Sequence, residues 1–141
     1  MSEERDPTLP IPLGMFLCDS VSREMMSGKI HLNGLFGAII SPNVPARANF
    51  SAYATFTNVR SALKIWFEIV DAEENVLQRT PEMDFPLPDD MIIEPIAMVY
   101  VSVEFPSYGH YFVRFFANTE YIMERRIVVI EPSPPPQQES P

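Results

Sequence analysis

Apolar and polar residues alternate with a period of two along much of the chain. The clearest case is residues 61–78, where Leu63, Ile65, Phe67 and Ile69 fall on one side of an extended backbone and Lys64, Trp66 and Glu68 on the other. Such alternation is the pattern of a strand with one buried face. The polar run at 71–75 reads as a turn, and Val76 and Leu77 begin the return strand of a hairpin. Residues 49–57 repeat the pattern, with Phe50, Ala52, Ala54 and Phe56 inward and Asn49, Ser51, Tyr53, Thr55 and Thr57 outward. Ala97, Val99, Val101 and Val103 form one row of a further strand over 96–105. Strands over 111–117 and 121–130 follow, joined at Asn118-Thr119.

Elsewhere the signal is weaker. Residues 15–18 form a short apolar strand, and 20–28 read as a loop or one helical turn closed by Gly28. Residues 29–41 read as one strand, whose interior Gly34 and Gly37 predict a bulge or a bend where it changes sheets. Thr80-Pro81 and the PLPDD run at 86–90 predict a meandering edge. The spacing of eight or nine short strands and their turns fits two packed sheets. Gly109-His110-Tyr111-Phe112-Val113 has the arrangement of a tyrosine corner, with Val113 where antibody domains carry a cysteine. These features predict an all-β fold, an immunoglobulin-like antiparallel β-sandwich over residues 13–131. A flexible arm over 1–12 and a disordered proline-rich tail over 132–141 flank it.

Composition supports this class. Of 141 residues, 46% are hydrophobic, enough for one core, and 10 Phe and 5 Tyr suit strands while 15 Pro disfavour long helices. A formal net charge of -9 repels phosphate backbones, so no nucleic-acid partner is expected. Arg125-Arg126 makes no basic patch, because alternation sends the two side chains to opposite faces. Acid concentrates in Asp71, Glu73, Glu74, Glu82, Asp84, Asp89, Asp90 and Glu94, against Arg79 alone. The single Cys18 excludes an internal disulfide. Neither a signal peptide nor an apolar run of membrane-spanning length is present, which predicts a soluble cytoplasmic protein without a membrane partner.

Together the segments resemble a bacterial family of small proteins of uncharacterised function. The resemblance rests on Leu17-Cys18-Asp19 ending the first strand and on Gly28-Lys29-Ile30-His31-Leu32-Asn33-Gly34-Leu35-Phe36. The hairpin from Val70-Asp71 to Val76-Leu77 and the P-x-x-G-x-Y strand from Pro106 to Tyr111 complete it. It covers about residues 14–130 and implies a fold, with no catalytic residues to carry over. The family's turn commonly has a Gly after the Asp; here Glu74-Asn75 replaces it, and Asn75 is expected to take the left-handed conformation.

Candidate chemistry is sparse. Cys18 with Asp19, His31 and His110 holds the residue types of a nucleophile, base and orienter, but in no recognised spacing, and an apolar strand suits a buried cysteine better. The histidines lack ligand partners at zinc spacing, and no cofactor or metal is expected. An alternative reading is a ligand- or calcium-binding sandwich whose acidic loops bring Asp71, Glu73 and Glu74 to Asp89 and Asp90; the spaced loop of a calcium site is missing. The outward phase of Trp66, Phe112 and Phe116, with Tyr53 in a polar row, points instead to an exposed aromatic sheet face. The expected function is a non-catalytic interaction or scaffold module binding a protein partner, or a second copy, through that face.

Overall fold

A computed structural model describes residues 9–87 and 95–133. Residues 1–8 of the arm predicted over 1–12, the acidic residues Asp89, Asp90 and Glu94, and residues 134–141 of the tail predicted over 132–141 lie outside the described residues. Ten strands form two facing sheets. They are β1 (Ile11–Arg23), β2 (Ile30–Leu35), β3 (Ala38–Ile40), β4 (Ala46–Thr57) and β5 (Leu63–Asp71), followed by β6 (Val76–Arg79), β7 (Met83–Phe85), β8 (Ile96–Phe105), β9 (Gly109–Ala117) and β10 (Glu120–Ile130). The four-stranded sheet runs β2-β1-β4-β8 and the six-stranded one β3-β10-β9-β5-β6, with β7 also on β5. All pairs are antiparallel except β3 with β10. With β1, β4 and β8 in one sheet and β10, β9 and β5 in the other, the order is that of an immunoglobulin-like sandwich.

The inward rows read from the sequence meet between the sheets. Phe50, Ala52, Ala54 and Phe56 from β4 and Ala97, Val101, Val103 and Phe105 from β8 pack against Leu63, Ile65, Phe67 and Ile69 from β5. Tyr111, Val113 and Phe115 from β9 complete the layer. Phe56 stacks on Phe115 across the gap with ring centroids 5.4 Å apart, and Phe105 meets Tyr111 edge-on at 4.7 Å. The Tyr111 hydroxyl donates to the Ser107 carbonyl at 2.7 Å and accepts the Ser107 N–H at 3.2 Å, so the tyrosine corner is present.

Three local expectations change. The strand at 15–18 is the middle of the 13-residue β1, which begins inside the expected arm: Ile11 pairs with Thr57, and Leu9 accepts a bond from Asn58. Its far end, Ser20 to Arg23, pairs with β2 in a hairpin where a loop or helical turn is expected. In that hairpin Val21, Ile30 and Leu32 are half-buried and Ser20, Ser22, His31 and Asn33 exposed, so on the β1 side a single apolar residue, Val21, marks the row. The strand at 29–41 divides at Phe36-Gly37, and its two halves enter different sheets, as the glycines predict. In the β5–β6 turn, Glu74 rather than Asn75 takes the left-handed conformation, at φ 70°. Asn75 instead bonds Asp71 through its backbone N–H and side-chain amide.

Gly34 is required twice over. Its φ is +71°, and a Cβ there would lie 2.3 Å from Asp19 Oδ2 and 2.8 Å from its Cγ. Gly34→Ala is expected to lower stability by about 2 kcal/mol, and Asp19→Ala should recover the steric share in a double-mutant cycle followed by urea unfolding. Tyr111→Phe should cost about 1–2 kcal/mol by the same measurement, because it strips a hydroxyl that both donates and accepts.

Candidate functional site

The six-stranded sheet carries the outward aromatics. In register, Trp66 lies opposite Phe116, which lies opposite Tyr121, and Val70 lies opposite Phe112. The outward phase is as expected; the exposure is not. Trp66 is only 5% exposed, because Phe116 stacks on its indole at 5.4 Å and 5° and the Arg79 guanidinium lies 4.4 Å from its centroid. Phe112 and Phe116 are half-buried, and Arg114 lies 6.0 Å from the Phe112 ring. Tyr53, on the other sheet, is 8% exposed. Trp66 and Tyr53 are therefore not open binding surface; for Trp66 the Phe116 ring and the Arg79 side chain provide the cover.

Charge closes the same face. Arg114 holds Glu74 through both guanidinium ends, with Nη2 donating to Oε1 at 2.8 Å, and its Nε lies 3.6 Å from Glu124. The pairing lowers the Glu74 carboxyl from its ordinary value and raises Arg114. Tyr121 donates to Glu124 at 3.0 Å, and burial together with that carboxylate pushes its phenol up to about 12. Asp71 is lowered by the bonds from Asn75 and Glu73. Of the five carboxylates of the calcium reading, Asp71, Glu73 and Glu74 are among the described residues, and Asp71 and Glu74 already serve protein donors. Among the described residues no group of three His, Cys, Asp or Glu converges on a metal position.

The nucleophile set does not assemble. Cys18 is fully buried opposite Ser51 and Leu35, and burial and then Asp19 raise its thiol above the ordinary value. His31 pairs with Glu24 at 2.9 Å in the β1–β2 hairpin. His110 lies on the other sheet, lining an open cleft of about 260 Å³ with Asp71, Glu73, Tyr108 and Tyr111.

The open apolar surface is the outer face of the four-stranded sheet. Leu35, Cys18, Ser51 and Tyr100 form one row across β2, β1, β4 and β8, and Phe16, Tyr53 and Met98 form the adjacent row. Leu35 is 60% exposed, Tyr100 64%, Met98 43% and Phe16 36%. Leu35 and Phe16 lie on β2 and β1 and Met98 and Tyr100 on β8, with the buried Cys18, Ser51 and Tyr53 between them. The guanidinium of Arg125 lies 5.8 Å from the Phe16 ring at its margin. The sequence held a signal for this face: once Ala97, Val101 and Val103 turn inward, Met98 and Tyr100 must turn out.

A β-sandwich with a tyrosine corner and immunoglobulin-like sheet order defines the class. Within it the chain belongs to DUF6941, a family of unknown function, matched over residues 13–130. No curated protein matches the chain. Two solved structures of a glycosyl hydrolase family 2 member from Bacteroides cellulosilyticus are similar. One has a TM-score of 0.52 and 14% identity and covers 87% of this chain and 14% of its own. The other, from strain DSM 14838, has a TM-score of 0.46 and 17% identity and covers 60% of this chain and 13% of its own. The chain thus spans about a seventh of those enzymes, and at this identity the first likeness speaks for the fold alone.

Asp71 and Glu74 set a pH dependence. Their carboxyls lie below the ordinary 3.8 and 4.5 in the fold, so the stability they contribute is present above those values and lost as pH falls through the folded ones. Urea midpoints are expected to drop below about pH 4, with a shallower drop in Asp71→Asn; superimposable profiles would remove Asp71 from the effect.

Proposed function

We propose that the chain is a non-catalytic, cytoplasmic protein-interaction module that docks a partner through the outer face of the four-stranded sheet. The observation that carries this reading is the exposure of Phe16, Leu35, Met98 and Tyr100 on two neighbouring rows of one sheet face. Single exposed apolar residues are ordinary; four of them in adjacent cross-strand rows have the character of a contact surface. Aromatic residues and methionine are also the types enriched at interface cores. A buried thiol raised above its ordinary value, distant from both histidines, favours a non-catalytic role. No helix among the described residues is long and apolar enough to cross a membrane.

The test is capture by the immobilised full chain and by a Leu35→Ser, Tyr100→Ser variant with unchanged circular dichroism. Truncating interface anchors costs about 2 kcal/mol or more, so retention of bound protein should fall roughly thirtyfold. Equal recovery from both chains overturns the reading.

A further inference from the structure

We propose that the partner is a second copy of this chain, joined edge to edge along β8 so that two four-stranded sheets become one eight-stranded sheet. This rests on the interaction reading above and supplies the occupant of its β8 margin, Met98 and Tyr100.

β8 ends the order β2-β1-β4-β8, and among the described residues no strand pairs with its far side. In the immunoglobulin arrangement the corresponding strand, E, is covered by strand D. The other outer strands are short: six residues in β2, three in β3, four in β6 and three in β7. β8 has ten. Proteins blunt open edges with short strands, charges, prolines or bulges. β8 pairs with β4 from Phe105 to Ile96 without a register shift, contains no proline, and has Glu104 as its one charge.

Its backbone polarity follows from one bond. Phe56 donates its N–H to the Pro95 carbonyl at 3.2 Å, one step beyond the Thr55–Ile96 pair. Bonding direction alternates along an antiparallel strand, so the odd-numbered residues of β8 face β4. The even ones, Ile96, Met98, Tyr100, Ser102 and Glu104, turn both N–H and C=O to the open edge. A two-fold axis at Tyr100 sets Tyr100 against its mate, Met98 against Ser102 and Ile96 against Glu104, and satisfies every one of these groups.

The charges fit this pairing. The two Glu104 carboxylates stand about 27 Å apart at roughly 3.4 Å per residue, beyond the screening length of about 8–10 Å. The apolar faces of the two copies become continuous through Met98 and Tyr100. A head-to-tail contact of β8 with β2 would have only six residues to pair with, one of them Gly34 at φ +71°, and would propagate without closing.

Sedimentation equilibrium of the full chain should give twice the 16.1 kDa monomer mass. Ser102→Pro deletes a donor that faces only the open edge, leaves the β4 ladder intact, and should give the monomer mass with an unchanged circular dichroism spectrum. Tyr100→Lys should do the same by opposing two ammonium groups across the axis. Amides of Met98, Tyr100 and Ser102 should exchange at least about tenfold faster on dilution to monomer. A monomeric wild type, a dimer that survives both substitutions, open-ended assembly, or protection of these amides in the monomer would each overturn the proposal. A monomer that still loses captured protein on the Leu35→Ser, Tyr100→Ser change would overturn the second copy alone and leave the interaction reading standing. A dimer with equal recoveries would do the reverse.

Discussion

The structure depends on the interlock of aromatic side chains between the two inner faces. Phe56 on β4 touches Phe115 on β9, which also meets Phe67 on β5, while Phe105 on β8 meets Tyr111 on β9. All five are at most 1% exposed. Burying each such ring contributes about 1.5–3 kcal/mol, whereas an exposed ion pair contributes about 0–1. The core therefore dominates stability, and the Arg114 network finishes a surface. Tyr111 joins the two roles, since its ring packs against the core while its hydroxyl fixes the turn after β8.

Legibility follows the same physics. Where one face is buried, as in β4, β5, β8 and β9, the alternation identifies strand and phase together. It fails where the constraint is missing. Ser20 and Ser22 accept hydrogen bonds from Asn33 across the β1–β2 hairpin, and Val21 between them is the one apolar residue on that end of β1, too short a row to read as a strand. At the change of sheets, Phe36 and Ile39 both pack on the core although they lie three residues apart. A period of two cannot survive that crossing, and Gly37 only hints at it. The fold was thus readable from its buried rows and its tyrosine corner, with element lengths wrong at the margins.

The candidate site was less legible because exposure on an outer face is set by cross-strand neighbours. Trp66 points outward as its phase requires, yet Arg79 from β6 and Phe116 from β9 cover it, and neither is close in sequence. On the four-stranded sheet the row between Leu35 and Tyr100 holds Cys18 and Ser51, side chains too small to cover a leucine or a tyrosine. Outward hydrophobes on the two faces are therefore covered or left open one by one: Trp66 and Tyr53 are buried, whereas Tyr121, Met98 and Tyr100 are open. Only the register distinguishes them.

The two outer faces also differ in how their sheets end. The six-stranded sheet stops in strands of three and four residues, too short to template a long partner strand, and its Arg114 is held by Glu74 and Glu124. The four-stranded sheet stops in a ten-residue strand with two of its exposed apolar side chains, Met98 and Tyr100, on the last row. Open backbone and open apolar surface coincide at β8. A strand added there would satisfy the hydrogen bonds and flank Met98 and Tyr100 in a single step, while Phe16 and Leu35 lie two and three strands away. The likeness to a domain-sized part of far larger proteins concerns the sandwich that both share. Among the described residues, β8 is the long strand that this sandwich leaves at an edge.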